Sequence, residues 1–431
     1  MKKFIGTKSQ KELLKLYARH VNAPKMRIFK GFGFGVIPGE RQGIRFKTLE
    51  GSKPGEPPLE MINCRSSGGV FNLGHHNQEI IQRLKEALDG GLDVGDHMLL
   101  SEWRALLGKK LAELMPPGIT KTTFGVSGGE AIDSAIKFSF AYTKRNECIS
   151  AIGGYHGHTG FALATGDPIF KDNFLWSPPG FSQVPFGDTE ALRKVVTEKT
   201  ACVILETIPA TGGVLIAPKG YFPAVREICD QNGAMMIIDE VQAGLGRTGE
   251  FWAIYGGLYP NEKVIPDFMV LGKGMSAGIY PISTCSYKPE IEKSIFREDP
   301  FIHISTTGGS DLGCAVCSKM LDIQSDPKFL AHVKEMGNLF GKGLKNIAEE
   351  NSEVIKEVRG RGLMWGIELN SEKDGQIAMV SIIREGVLQN YCGNKEDTLI
   401  IMPPLISQKD DIEEIIGRIR KGIIRLKKIK N

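Results

Sequence analysis

An α/β protein with a mainly parallel sheet covered by helices is what this sequence predicts, on three observations. Between residues 122 and 290, short apolar runs alternate with turns and amphipathic segments. The runs are apolar almost throughout, as strands buried on both faces must be. Glycine is abundant, 52 of 431 residues, above the usual ~7% and without a collagen-like period, which points to many tight turns or close backbone approaches.

Taken in order, a first helix is expected near Ser9 to Val21, with Leu13, Leu14, Tyr17 and Ala18 on one face. The Gly- and Pro-rich stretch that follows, to about residue 65, reads as an irregular β-containing arm. Helical spacing returns after Asn77 with Ile80, Ile81, Leu84 and Ala87, stopped by Gly90-Gly91, and again from Ser101 through Leu107 and Leu111 to Pro116. Six strands are predicted: Thr122 to Val126, Cys148 to Ile152, Ala201 to Leu205, Ala234 to Ile238, Phe268 to Leu271 and Ile282 to Ser286. The last hundred residues read as a helix from Pro327 to Glu350, strands near Met364 to Leu369 and Leu399 to Met402, and a closing helix. That helix is expected to be capped by Ser407, three residues before Asp410, with Ile412, Ile415, Ile416, Ile419, Ile423 and Leu426 on its apolar face. The predicted division is an arm and part of a small domain (1–65), a large domain (66–326) and a C-terminal segment (327–431), the first and last together forming a smaller α+β domain. This length carries a prior of two to three domains.

Lys+Arg 54 against Asp+Glu 50 gives a net charge of +4, too mild for a nucleic-acid surface. The cations from Arg418 to Lys430 read as the solvated face and dipole-compatible end of the closing helix, not a membrane patch. Eight scattered cysteines, most in apolar stretches, suit reduced thiols and a cytoplasmic location. The charged start Met1 to Lys8 is followed by no apolar segment, so no export signal is expected. The longest apolar runs, such as Leu399 to Leu405, fall far short of the ~20 residues that cross a bilayer.

Ligand sites in such sheets lie beyond the carboxyl ends of the strands, so the residues after each run carry the functional reading. Ser127-Gly128-Gly129-Glu130 opens a helix, where bare amides and the helix dipole favour an anion. Tyr155, in Gly153-Gly154-Tyr155-His156-Gly157-His158, is placed either to lie on a planar ring or to fill core. Asp239 and Glu240 end a buried strand, and a buried carboxylate needs a partner, such as a protonated heterocyclic nitrogen. Lys273, between Gly272 and Gly274, suits a Schiff-base or general-base role. Anion cradle, planar stacker, carboxylate and lysine together describe pyridoxal phosphate (PLP).

At these residues the chain resembles the class III aminotransferases (ornithine and ω-amino acid type) of PLP fold type I. Asn72-Leu73-Gly74-His75, Ser127 to Ala131, Tyr155-His156-Gly157, Ile238 to Gly249, Gly272-Lys273-Gly274, Thr306 to Gly309 and Pro403-Pro404-Leu405 fall in the family's order, over about residues 60 to 406. The resemblance implies a PLP-dependent aminotransferase acting on small amines or amino acids and on oxo-acid or aldehyde acceptors. It makes Lys273 the Schiff-base lysine and proton shuttle, and Asp239 the partner of the pyridine nitrogen. Val241 stands behind the ring, Tyr155 in front, and Gln242 donates to the ring hydroxyl. Ser127, Gly128 and Gly129 cradle the phosphate, while His156 and Glu206 belong to the cofactor site. Thr306 reaches the phosphate of a neighbouring subunit, implying a homodimer.

Two family arginines that hold substrate carboxylates are absent: His158 and Ile400 stand at those positions. A bidentate grip on 2-oxoglutarate or an α-amino acid is therefore not expected from them, and an amine or ω-amino substrate gains ground. A racemase, epimerase or aminomutase on the same fold is the alternative, because the residues around the ring do not separate these outcomes. No metal is expected: Cys314 and Cys317 read as core thiols, and His75-His76 and His156/His158 lack a completing cluster.

Overall fold

A computed structural model of the chain describes residues 8–32, 34–51 and 55–430. The expectation about an export signal falls mostly on residues 1–7, outside the described residues.

A seven-stranded sheet organises the middle of the chain. Its strands run in the spatial order Lys121–Gly125, Ser283–Tyr287, Phe268–Leu271, Met235–Asp239, Thr200–Glu206, Glu147–Ala151 and Phe181–Val184. Ser283–Tyr287 is antiparallel to both neighbours, and the remaining pairings are parallel. Alternate side chains enter two different cores, as the period of two in a strand requires. Cys202, Ile204, Ile237, Phe268 and Val270 pack on one face with Ala131, Ile132, Ala135 and Phe138 of the helix Gly128–Thr143. Val203, Leu205, Met236, Ile238, Met269 and Leu271 pack on the other with Val225 and Ile228 of the helix Tyr221–Asn232. Covering both faces explains why these strands read as unbroken apolar runs.

Two four-stranded sheets are built from the chain's first and last segments, and one of them joins the two. Pro38–Gln42, Arg45–Thr48 and Glu60–Asn63 are completed by Val387–Leu388, which pairs parallel to Glu60–Asn63. Ile355–Arg361, Met364–Leu369, Lys395–Ile401 and Asn390–Cys392 form the other sheet. Their shared core includes Phe340 and Leu344 of the helix Pro327–Glu350, Ala378 and Ile382 of Glu372–Arg384, and Ile412 to Leu426 of Lys409–Lys430.

The structure departs from expectation in several places, adding among others the unpredicted strand Ile355–Arg361 and helix Glu372–Arg384 to the last hundred residues. The first helix ends at Tyr17, passes through a single π-helical stretch, Ala18–Asn22, and restarts as Ala23–Gly31. There Asn22 accepts from the Lys25 amide at 2.9 Å and Pro24 occupies the first turn, the signals of a new helix start. The strand Phe181–Val184 was not predicted, because it lies at the sheet edge with partly exposed side chains and never forms an apolar run. The strand expected at Leu399 to Met402 begins earlier, at Lys395, and runs to Ile401; Lys395 pairs antiparallel with Cys392, and Leu399 and Ile400 with Tyr391 and Asn390. Ser407 does not cap the closing helix: its hydroxyl donates to the Pro404 carbonyl at 2.7 Å. Asp411 instead accepts from the Gln408 amide at 3.0 Å.

No described helix is long and apolar enough to cross a membrane. Cys314 and Cys317 lie buried as free thiols in the helix Asp311–Gln324.

Candidate active site

Strand register brings the first carboxylates together. Glu206 pairs with Asp239, and Asp239 with Val270, so both acids sit at the carboxyl end of the sheet, just before the turn that carries Lys273. Asp239 is buried, and its Oδ2 lies 2.8 Å from His156 Nδ1 while Oδ1 accepts from the Val241 amide at 2.9 Å. An ionised carboxylate only accepts, so the proton in the first contact belongs on Nδ1. Burial opposes charge on the His156 ring, but the bond to Asp239 and the charges of Asp239 and Glu206 outweigh it and raise the pKa. Glu206 accepts from the Tyr155 amide at 2.8 Å and faces the Ala210 amide at 3.5 Å; burial, aided by Asp239, pushes its pKa up. A second floor carboxyl, Glu240, accepts from Thr207 Oγ1 and from the Ala253 and Ile254 amides, and burial pushes it up to about 7.

Lys273 follows the strand Phe268–Leu271 in a left-handed conformation, with φ 37°. Its Nζ donates to Gln242 Oε1 at 2.5 Å, and Gln242 Nε2 reaches Met402 Sδ at 3.2 Å. Burial lowers the lysine's pKa against the opposing pull of Asp239 and Glu206. Gly68 closes over this lysine: a Cβ there would lie 3.1 Å from Lys273 Cε and 3.3 Å from Nζ.

Gly68 belongs to an unusual run. Ser66, Ser67, Gly68 and Gly69 all have positive φ, at 46°, 49°, 70° and 107°. Each serine costs about 1 kcal/mol in that conformation. Ser66 holds the run in place, donating its backbone N–H to Asn63 Oδ1 at 2.9 Å and its hydroxyl to the Met402 carbonyl at 2.7 Å. Arg247, fully buried, fastens the same region by donating to the carbonyls of Leu363 and Pro403 and to Asn72 Oδ1, at 2.5–2.9 Å. Burial alone pushes its pKa down to about 9, and the three acceptors compensate for lost water.

At the start of the helix Gly128–Thr143, Ser127 is the N-cap and accepts from the Glu130 amide at 3.3 Å. A Cβ on Gly129 would lie 2.7 Å from Thr159 Oγ1, and one on Gly157 2.9 Å from Gly129 Cα. Val241 borders the same turn, 3.2 Å from a Cβ built on Gly128. Tyr155 lines the cleft of about 270 Å³ beside Lys273 and Gln242. Its ring packs edge-on against His158 and Phe170, with centroids 5.2 and 5.5 Å away. Thr306 stands apart from its own chain's cleft, exposed in the loop that Ser305 pins to Glu130 at 2.5 Å.

PLP suits these residues. The Nε2 of His156 is buried without a partner among the described residues beside Asp239, and the helix that starts at Gly128 opens with two glycines, the second packed so closely on Thr159 that a Cβ would clash.

Sequence reading missed the Ser66–Gly69 run and Arg65 just before it. The two glycines after two serines were the only signal of the first, and a lone arginine in an extended stretch gives none of the second.

A parallel-sheet protein with lysine, aspartate and a glycine anion cradle at the strand ends is a PLP enzyme of fold type I. The chain belongs to the family Aminotransferase class-III, whose profile matches residues 55–423, and it is a PLP-dependent aminotransferase. It is 43% identical over 412 residues to an "Uncharacterized aminotransferase" of Archaeoglobus fulgidus, covering 96% of this chain and 94% of the relative. Among solved structures, it resembles a thermostable (S)-enantioselective omega-transaminase from Thermomicrobium roseum at 25% identity, with a TM-score of 0.86 over 98% of this chain and 100% of the other. A transaminase from the marine bacterium Virgibacillus shares the fold at 23% identity, with a TM-score of 0.88 over 97% and 100%. Ornithine aminotransferase from Toxoplasma gondii does so at 23%, with a TM-score of 0.86 over 98% and 96%.

Proposed function

We propose that this aminotransferase moves an amino group from an amine, ω-amino acid or amino acid to an oxo-acid or aldehyde, with Lys273 as its covalent and proton-moving residue. When bound, PLP supplies an aldehyde that condenses with amines and a cationic ring that draws electrons from the carbon bearing the amine. Ser127 and the amides of Gly128 and Gly129 would hold its phosphate, Asp239 its ring nitrogen, and Val241 and Tyr155 its two faces. His156 donates to Asp239 and so fixes that carboxylate in place. Glu206 holds the Tyr155 backbone. Gln242, which accepts from Lys273 here, would be released to the ring hydroxyl once the lysine engages the cofactor.

Lys273 Nζ, when neutral, would take the proton from the substrate carbon and deliver it to the aldehyde-derived carbon of the bound cofactor, and its burial favours that neutral form. The observation carrying the reading is its position: a lysine at the strand end, held by Gln242 and covered by Gly68, within the influence of Asp239 and Glu206. Borohydride reduction of the holoenzyme, followed by peptide mapping, should place the cofactor on the peptide containing Lys273. Its recovery on another peptide defeats the assignment. Mixing holoenzyme with an amine panel and no acceptor should release carbonyl product and leave the pyridoxamine form; inverted substrate without that product would mean an isomerase.

The assembly proposed is a homodimer in which Thr306 enters the neighbouring site. Two exposed apolar stretches support it, one with Met98, Leu99 and Leu100 and the other with Phe301 and Ile302. A cytoplasmic location fits eight buried, free cysteines. The division at residues 65/66 and 326/327 fits the sheet that joins Glu60–Asn63 to Val387–Leu388.

A further inference from the structure

We propose that Arg65 is the anchor for a substrate carboxylate, so that the donor or acceptor of this enzyme carries an acid group. The proposal rests on the aminotransferase reading for the nature of its ligand.

Arg65 lines the same cleft as Lys273, Tyr155 and Gln242. Its positive charge acts on Lys273, which places the two cations near each other. Yet the guanidinium forms no hydrogen bond or ion pair with any described residue, whereas Arg45, Arg226 and Arg359 all pair with carboxylates. Its surroundings desolvate it and hold it below the usual arginine value. Exposed at the cleft and unpaired, its guanidinium presents five donors and no acceptor to whatever enters. Nothing else lining the cleft carries a fixed positive charge except Lys273 itself; the remaining polar side chains are Ser67, Thr211, Asn390 and Tyr391, together with Tyr155 and Gln242.

The backbone supports the same conclusion. Arg65 leads directly into the four left-handed residues Ser66 to Gly69, and Ser66 is bonded both to Asn63 and to Met402. This strained, doubly tethered run fixes Arg65 on one side and brings Gly68 against Lys273 on the other. A guanidinium fork lining the same cleft as the reacting lysine can meet a carboxylate through two parallel hydrogen bonds. His158 and Ile400, at the family's arginine positions, offer no such fork, and Ile400 lines the cleft as an apolar wall. The acid group is thus gripped from the N-terminal loop.

The test compares ligands that differ only in the acid group. Wild-type holoenzyme is titrated calorimetrically with pentanoate and with pentanamide, neither of which carries an amine. Wild type should bind pentanoate at least ~10-fold more tightly than pentanamide, and Arg65→Gln should weaken pentanoate by about 30-fold while leaving pentanamide within ~2-fold. Arg65→Lys should fall between, keeping charge without the fork. In the amine half-reaction, Arg65→Gln should raise KM for 4-aminobutanoate and leave propylamine nearly unchanged. Because Arg65 has no partner in the fold, the unfolding midpoint of Arg65→Gln should stay within about 2 °C of wild type. Equal binding of pentanoate and pentanamide by wild type overturns the proposal, as do equal losses for acid and amine in the variant. The aminotransferase reading is checked by a different readout, conversion of wild-type cofactor by any donor, so each idea fails on its own measurement.

Discussion

At the floor of the cleft, Asp239 accepts from His156 and Val241, Glu240 accepts from three donors, and Arg247 donates to three oxygens. Toward the mouth, the side chains of Arg65 and His158 make no hydrogen bond with any described residue, though His158 packs against Tyr155 and Phe170. Most polar atoms at the floor are satisfied within the chain, the exceptions among those named being His156 Nε2 and Arg247 Nε, as a site for a permanent cofactor requires. The mouth keeps its polar groups open because its partners come and go with each turnover.

Substitutions at the two levels should therefore differ in kind. The largest effect is expected from Lys273→Ala, which should abolish covalent cofactor attachment and cut turnover by about 10⁴-fold or more; near-normal turnover would break the assignment of the floor. Asp239→Asn should lower kcat by roughly 10³-fold and remove the elevation of the His156 pKa, visible by NMR as a ring that titrates lower. Arg247→Met should act on stability instead, by about 3 kcal/mol, because it strands two carbonyls and the Asn72 amide oxygen; a denaturant midpoint measures it.

Next in size is a pH effect. Burial raises Glu240 to about 7, above its unfolded value of ~4.3. The folded state thus holds a proton that the unfolded chain releases, so this contribution is complete below ~4.3 and is lost as pH rises through about 7, amounting to roughly 3–4 kcal/mol. Glu206 acts in the same direction. Urea midpoints of Glu240→Gln should depend less on pH than those of wild type across this window; an unchanged slope would assign the effect elsewhere. Smallest is a change at the mouth: Phe170→Ala, which removes the edge-on contacts to Tyr155 and His158, should change KM by about five-fold and leave cofactor attachment intact.

The same division governs what was legible in the sequence. The strands feeding the floor were readable because burial on both faces forces apolar runs; Phe268–Leu271 was located to the residue and its neighbours to within one or two. The residues after them, Asp239 and Lys273, stand out because charge is rare at such positions. Phe181–Val184 escaped because an edge strand has no such constraint, and Arg65 because an unpaired arginine leaves no periodic or spacing signal. The role of Arg247 lies in tertiary geometry: its three acceptors come from residues 72, 363 and 403, distant in sequence.

The parallel pairing of Ile62 with Val387 has a consequence for how the chain matures. A ribosome delivers the early strand long before its mate, so the small sheet stays one strand short until translation is almost complete. Arg65 follows that early strand by only two residues. Nascent chains released before residue 387 would thus possess the lysine turn yet lack the scaffold that aims the arginine, and the enzyme would gain its grip on substrate last.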